Sequence, residues 1–173
     1  QFGRMKSTID YLKRVNPDAP FTLQLLAEYE LGLKDMGAAL SAAYRWKELY
    51  PGELKSWFLI AKLEDRRADM SAQIKLWREM IERAPHLRLG YMKLAVAYAV
   101  AGELSALEDL LEGWGAKHPT DPNRFKFKAM LLDRRMVKDR LSWDEIKPQL
   151  KEAWSSAFKL YQKDPLIMNQ RAS

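Results

Sequence analysis

A proline recurs at a fixed interval along this chain, and that interval limits the folds the chain can adopt. The four prolines follow one another at a 34-residue spacing, at Pro17, Pro51, Pro85 and Pro119. A second series with the same spacing consists of Ala27, Ala61, Ala95 and Ala129. Two independent series with one period indicate a structural unit that is repeated along the chain.

Each period contains two blocks of apolar residues at helical spacing. In residues 54–87 the first block is Leu54, Trp57, Phe58 and Ala61, and the second is Met70, Ile74, Trp77 and Ile81. The segment between them, DRRADMS, lacks such a stripe and predicts a turn. The next period repeats the scheme, with Gly102 at the turn, where a left-handed helix cap costs little. Each period therefore predicts a helical hairpin, and the proline beyond its second helix begins the connection to the next hairpin.

A 34-residue helical hairpin with a small residue on its first helix and a closing proline resembles the tetratricopeptide repeat. In residues 88–121 the aromatic, leucine, small, aromatic and glycine positions of that family hold Tyr91, Leu94, Ala95, Tyr98 and Gly102. The preceding periods match at Trp57, Ile60, Ala61 and Pro85, and at Leu26, Ala27, Ala39 and Pro51. Departures from the pattern are Glu30 and Glu64 at the tyrosine position, and Gln73 and Leu107 at a small position. The resemblance implies an all-α fold, an α-solenoid of helical hairpins that forms a right-handed superhelix.

The predicted organisation is one solenoid domain made of successive repeats. Residues 1–17 hold the second helix of a truncated repeat, and repeats follow at 18–53, 54–87, 88–121 and 122–165, with a tail at 166–173. Because the chain opens on a second helix, we expect a parent protein that continues towards the N-terminus.

The last repeat is expected to carry a 12-residue insertion. Ala129 and Ala153 are separated by 24 positions, whereas the equivalent Ala61 and Gln73 are separated by 12. Within the insertion, LSWDEIKP contains a capping-box pattern from Ser142 to Glu145, and Pro148 suits the first turn of a helix. The insertion is therefore expected to be helical.

Composition excludes several functional classes. The chain has no cysteine, which removes disulfides, thiolate metal sites and cysteine nucleophiles. Its longest apolar stretch, residues 94–102, is far shorter than the roughly 20 residues that cross a bilayer. We find no phosphate-binding glycine loop, paired-histidine metal motif or nucleophile elbow, and His86 and His118 are expected to be exposed beside repeat prolines. The sequence predicts no catalytic, metal or cofactor site, and hence no enzyme.

The resemblance implies a concave groove lined by the first helix of each repeat. The inner-face positions of the family correspond here to Gln24, Glu28, Leu31, Lys55, Phe58, Lys62, Leu89, Met92, Lys93, Val96, Asn123, Lys126, Phe127, Met130 and Arg134. This set is apolar with basic edges, so we expect it to bind another protein, as a helix or peptide with acidic flanks. The competing interpretation is that the aromatic and methionine side chains are packed in the core. The family's clamp for acidic C-terminal peptides is not matched, because Lys93 alone agrees with it.

The net charge of +6 lies at the C-terminal end. Residues 122–173 contain 12 lysines and arginines against 6 acids, while residues 1–121 are balanced at 17 each. Residues 124–140, RFKFKAMLLDRRMVKDR, hold seven basic and two acidic residues, interleaved with Phe125 and Phe127. That pattern can bind single-stranded nucleic acid, but Phe125 aligns with Trp57 and Tyr91 and is predicted to be core.

These observations favour a non-catalytic scaffold for protein–protein interaction. The alternatives are that the basic C-terminal hairpin binds an anionic membrane surface or polymer, ranked second, or RNA, ranked third. By analogy with the fold, the setting is a bacterial envelope, secretion or exopolysaccharide assembly complex. We expect a cytoplasmic location, with attachment to the inner membrane through residues outside this chain as an alternative.

Overall fold

The structure is a computed structural model that describes residues 2–162, with side chains from residue 5 onward. These residues form nine helices: α1 (Phe2–Val15), α2 (Pro20–Gly32), α3 (Met36–Leu49), α4 (Leu54–Arg66), α5 (Met70–Arg83), α6 (Arg88–Ala101), α7 (Leu104–Lys117), α8 (Asn123–Asp139) and α9 (Trp143–Tyr161). No strand occurs within residues 2–162. The predicted all-α helical-repeat fold is therefore confirmed, while the predicted tail at 166–173 lies outside the described residues.

The chain divides into two compact units, Gln1–Gln73 and Ile74–Ser173, with the boundary inside α5. In the first unit α1 packs on α2, α2 on α3, and α3 on α4. In the second unit α6 packs on α7, α7 on α8, and α8 on α9, and α6 also contacts α8. In both units, helices that are neighbours in sequence are thus neighbours in space.

Aspartates at the starts of two helices and a glycine at the end of a third define helix boundaries. Asp35 Oδ1 accepts a hydrogen bond from Ala38 N at 2.8 Å at the start of α3, and Asp69 Oδ1 accepts one from Ala72 N at 2.9 Å at the start of α5. The Ala72 N–H bond holds the pKa of Asp69 below its usual value. Gly102 ends α6 with φ 74, the left-handed cap that the sequence predicts.

One partly buried hydrogen bond is repeated with different partners one period later. In the first unit Tyr44 Oη donates to Glu64 Oε1 at 3.3 Å. In the second unit Arg78 Nε donates to Tyr98 Oη at 2.6 Å, and these two residues are 34 positions further on. Glu64 also accepts from Arg67 Nη1 at 3.2 Å, which helps to explain how a carboxylate is tolerated in the core at a tyrosine position.

A second polar contact recurs after two periods. Trp46 Nε1 donates to Glu53 Oε2 at 3.0 Å, and at the positions two periods later Trp114 Nε1 donates to Asp121 Oδ2 at 3.1 Å. Asp121 is fully buried and also accepts from Asn123 N at 3.0 Å. These bonds fix the indole rings that fill the core between the two helices of a hairpin.

The alanine series is buried at three of its four positions. Ala27, Ala95 and Ala129 are buried, which allows close helix approach. Ala61 is only half-buried, contrary to the pattern. The reason is its position on α4, where the exposed residues Phe58 and Asp65 lie one turn before and one turn after it on the same side of the helix.

The insertion lengthens the last two helices to 17 and 19 residues, against 13 or 14 for the other helices between residues 2 and 162. The predicted capping box is present, and Glu145 Oε2 accepts from Ser142 N at 2.7 Å. Hydrogen bonds from the Ser142 side chain and backbone lower the pKa of Glu145. The sequence suggests Pro148 in the first turn of a helix, but α9 begins at Trp143 and Pro148 therefore lies inside it, where it cannot donate to the Asp144 carbonyl.

Candidate functional site

In the first unit, the predicted groove residues lie on the accessible sides of α2 and α4. Phe58 is 40% exposed, and its neighbours Lys55 and Lys62 on the same side of α4 are exposed as well. Gln24 Nε2 donates to Glu28 Oε1 at 2.9 Å along the exposed side of α2. Both helices therefore present these residues outward, as a binding surface requires.

In the second unit, the accessible face of α6 is almost uncharged. It consists of five residues at spacings of three, one, three and four, named here the α6 face: Leu89, Met92, Lys93, Val96 and Val100. Val96 is 46% exposed and Val100 is 61% exposed. The sequence analysis missed Val100, although it lies one turn beyond Val96 on the same face.

Helix α8 contributes Lys126, Met130 and Arg134 on one side. Lys126 and Arg134 are exposed and Met130 is half-buried, and Val137 continues this side one turn later. The predicted groove residue Asn123 is instead held in place, because its Nδ2 donates to Asp121 Oδ1 at 3.0 Å and its Oδ1 accepts from Tyr161 Oη at 2.9 Å. These bonds give Asn123 a structural role at the start of α8.

The two phenylalanines of α8 both depart from their predicted roles. Phe127, predicted to line the groove, is 7% exposed and its ring centroid lies 5.8 Å from that of Trp114. Phe125, predicted to be core, is only half-buried, with the Arg124 guanidinium 4.3 Å from its ring centroid. Residues two apart point to nearly opposite sides of a helix, so only one of the two rings can face the core.

Helix α9 carries an exposed aromatic and basic stripe that the sequence analysis did not identify. It runs along one side of the helix at spacings of four, four, three and four, named here the α9 stripe: Trp143, Lys147, Lys151, Trp154 and Phe158. Its three aromatic residues are each more than half exposed. The buried face of α9 is a different set, Ile146, Ala153 and Ala157. The spacing of the stripe was visible in the sequence, but so were other helical spacings, and burial decides between them.

The two histidines differ in their environment. His86 is exposed as predicted, whereas His118 is half-buried. The His118 Nε2 atom lies 2.8 Å from the Pro85 carbonyl oxygen, and its ring meets the edge of Tyr91 with centroids 5.2 Å apart. His118 therefore connects two repeat turns of the second unit, and the pKa of Tyr91 is raised by burial.

The described residues contain neither a metal-binding cluster nor a membrane-spanning helix. No group of three or more histidine, cysteine or acidic residues is placed to hold a metal ion within that part of the chain. Across the same residues, none of the helices combines the length and the apolar character needed to cross a membrane.

Comparisons with known proteins bear on the fold. No protein-family model matches the chain, and no curated protein matches it in sequence. Solved structures do match. A crystal structure of MamA has a TM-score of 0.61 at 13% identity, covering 90% of this chain and 85% of that one. MamA residues 41 to the end from Desulfovibrio magneticus RS-1 have a TM-score of 0.57 at 15% identity, covering 94% of this chain and 89% of that one.

A further match is TTC0263, a thermophilic tetratricopeptide-repeat protein from Thermus thermophilus, with a TM-score of 0.50 at 17% identity, covering 98% of this chain and 88% of that one. At these identities the similarity concerns the fold. Together with the 34-residue period and the paired helices, it confirms the resemblance stated from the sequence: the chain has the fold of tetratricopeptide-repeat proteins.

Proposed function

We propose that this chain is a non-catalytic scaffold that binds another protein, with the α6 face as the main contact surface in the second unit. The observation that carries the proposal is the exposure of this face. Four of its five side chains are apolar, and Val96 and Val100 remain about half exposed. A contiguous apolar strip on a helix surface is typical of sites that receive a partner helix or an extended peptide.

The charges beside the α6 face favour an acidic partner. Lys93 belongs to the face itself, and Lys126 and Arg134 are exposed on α8, which packs against α6. Such cations at the rim of an apolar contact act mainly on association rate and salt dependence. A partner whose apolar residues are flanked by aspartate or glutamate therefore fits this surface.

The first unit carries a surface of the same composition. Phe58 lies between Lys55 and Lys62 on the exposed side of α4. Truncation of an aromatic anchor at the centre of an interface commonly costs about 2 kcal/mol or more. We infer that this side of α4 is a second contact surface, independent of the α6 face.

The test is capture of the native partner by variants of the α6 face. Val96→Gln combined with Val100→Gln keeps helix-forming residues but removes the apolar contact. We expect this variant to lose the partner while its circular dichroism is unchanged. The matched control is Val15→Gln, an equally exposed valine on α1 of the other unit. If the double variant and the control retain the same partner equally, the α6 face is not the binding surface.

A second candidate function is binding to an anionic membrane surface through the α9 stripe. Two tryptophans and a phenylalanine lie on either side of Lys147 and Lys151 along the stripe, which by this definition contains no acidic residue. Aromatic rings with adjacent lysines are typical of helices that rest at the lipid interface. This function predicts sedimentation with phosphatidylglycerol vesicles but not with phosphatidylcholine vesicles.

A titration with an arbitrary RNA oligonucleotide at low salt tests whether the basic C-terminal helices bind RNA or a membrane surface. Binding to RNA that weakens steeply with salt would replace the membrane candidate.

The scaffold proposal also includes a cellular setting. This is a cytoplasmic location, a link to an inner membrane, and a bacterial envelope, secretion or exopolysaccharide complex. Fractionation of the native host checks them.

A further inference from the structure

In the second unit, two pairs of helices each place a glycine opposite a large residue. In the first pair the glycine lies on the later helix, and in the second pair it lies on the earlier helix. Gly90 of α6 faces Ile81 of α5, and a Cβ added to Gly90 would lie 3.0 Å from Ile81 Cγ1. At the equivalent positions one period later, Gly115 is on α7 and Arg124 is on α8. A Cβ added to Gly115 would overlap Arg124 Nη1. The glycine of α7 is therefore required for the Arg124 guanidinium to lie across the contact between α7 and α8.

A cleft of about 410 Å³ lies between α7 and α8, and both Gly115 and Arg124 line it. The cleft opens where the repeat pattern fails. Lys128 occupies the position at which Ile60 and Leu94 are buried in the preceding periods, and Phe125 is half-buried where Trp57 and Tyr91 are fully buried. The apolar part of the wall is formed by Leu111, Phe125 and Leu131. The volume lies in the range of small-ligand pockets.

Arg124 lines this cleft. Its Nε is buried without a hydrogen-bond partner among the described residues, and is therefore closed to a ligand as well. Its guanidinium lies over the Phe125 ring, which orients it along the apolar wall. The two Nη groups are thus the donors that a ligand oxygen in the cleft would contact, and a carboxylate is the acceptor that a guanidinium binds best.

The other charges of the cleft do not cancel this preference. Lys128 lies one helical turn from Arg124, so both cations can reach one anionic group. Of the two acids in the wall, Glu108 accepts hydrogen bonds from both Arg135 Nη atoms, and Glu112 is exposed to solvent. Because Lys128 is exposed in the same way as Glu112, the half-buried Arg124 is the main cation of the wall, next to an apolar surface.

We propose that this cleft binds a carboxylate attached to a small apolar group. The carboxylate accepts hydrogen bonds from Arg124 and Lys128, and the apolar group packs against Leu111, Phe125 and Leu131. Either a free alkyl carboxylic acid or a glutamate next to an apolar residue in a peptide has this chemistry. The site goes beyond the proposed scaffold surface, because Lys126 of that surface lies on the opposite side of α8 from Arg124 and Lys128.

The experiment is a titration of the whole chain, labelled with ¹⁵N, and observed by amide chemical shifts in NMR. The probes are 4-methylpentanoate and the uncharged 4-methylpentan-1-ol. We expect saturable shifts in α7 and α8 with the acid, and binding of the alcohol to be weaker by about tenfold or more. Acetyl-Glu-Leu-amide and acetyl-Gln-Leu-amide form a second pair. Tighter binding of the glutamate peptide than of the free acid assigns the site to a peptide, and the reverse order assigns it to a small molecule.

Three variants complete the test. Arg124→Gln should weaken binding of 4-methylpentanoate by about tenfold or more, and Lys128→Leu should weaken it by removing the second cation. Lys126→Gln, on the opposite side of α8, should bind as the wild type does. The proposal fails if neither carboxylate produces saturable shifts, if acid and alcohol bind equally, or if Arg124→Gln and Lys128→Leu bind with unchanged affinity.

Discussion

Replacement of Phe127 by alanine tests the orientation of α8, on which both the core and the candidate surfaces depend. Phe127 is 7% exposed and contacts Trp114, so its removal leaves a cavity beside the indole ring. Buried phenylalanines replaced by alanine cost about 3–5 kcal/mol. For a chain of this length each kcal/mol lowers the melting temperature by about 2–4 °C, so the expected shift is about 6–20 °C.

The assay is urea unfolding followed by tryptophan fluorescence and by far-ultraviolet circular dichroism. Two probes are needed because the chain contains two compact units whose transitions can separate. Trp114 is one of the fluorescent residues and lies against the mutated ring. The control is Phe58→Ala, because Phe58 is 40% exposed and should change stability by less than about 1 kcal/mol. Equal small effects of Phe127→Ala and Phe58→Ala would contradict this reasoning. They would mean that Phe127 lies in the groove, as the repeat spacing implies, and does not pack against Trp114.

Three further outcomes follow from burial and hydrogen bonding. Ala95→Leu should cost about 1–3 kcal/mol by overpacking, and Ala61→Leu should cost less because Ala61 is half-buried; equal losses of stability in thermal melts would contradict this. Asp121→Ala should cost about 1–3 kcal/mol, because it leaves the Trp114 indole N–H without an acceptor, and unchanged urea unfolding would refute that role. The pKa of Glu145 is lowered in the folded state, so its stabilisation of α9 is present above its ordinary pKa and is lost as pH falls through the lowered value. The protection factors of the amides at the start of α9, which compare measured exchange with the intrinsic rate at the same pH, should therefore fall at acid pH in the wild type but much less in Glu145→Gln.

The period predicted the fold because it depends on spacing alone. Prolines and alanines at 34-residue intervals define the length of a hairpin and the points at which its helices approach, whatever their orientation in detail. Gly102 and the capping box at Ser142 were predictable for the same local reason, since each depends on the backbone within one turn. Local and periodic features therefore survived comparison with the structure.

Helix orientation within the last hairpin could not be read from the period. Extending the repeat places Phe125 and Lys128 inward, but burying a lysine ammonium without a partner is costly. The structure instead exposes Lys128 and buries Phe127 against Trp114, whereas Leu131 is buried like Leu63 and Ala97 at the equivalent positions of the earlier repeats. Comparing the charges on the two possible inward sides of α8 would have identified Phe127 as the buried residue.

Equivalent contacts in successive repeats of this chain are made by different residues. Tyr44 with Glu64 and Arg78 with Tyr98 make a partly buried hydrogen bond from equivalent positions, although the residue type differs at both positions. In the same way, the glycine that accommodates a large neighbour changes helices between the α5–α6 and α7–α8 contacts. What is repeated is therefore the pair, as a donor with an acceptor or a large residue with a small one. The physical constraint is satisfied each time, because packing volume and hydrogen bonding depend on the sum of both partners. Successive repeats of this chain therefore keep the contact between two helices while the residues that form it change.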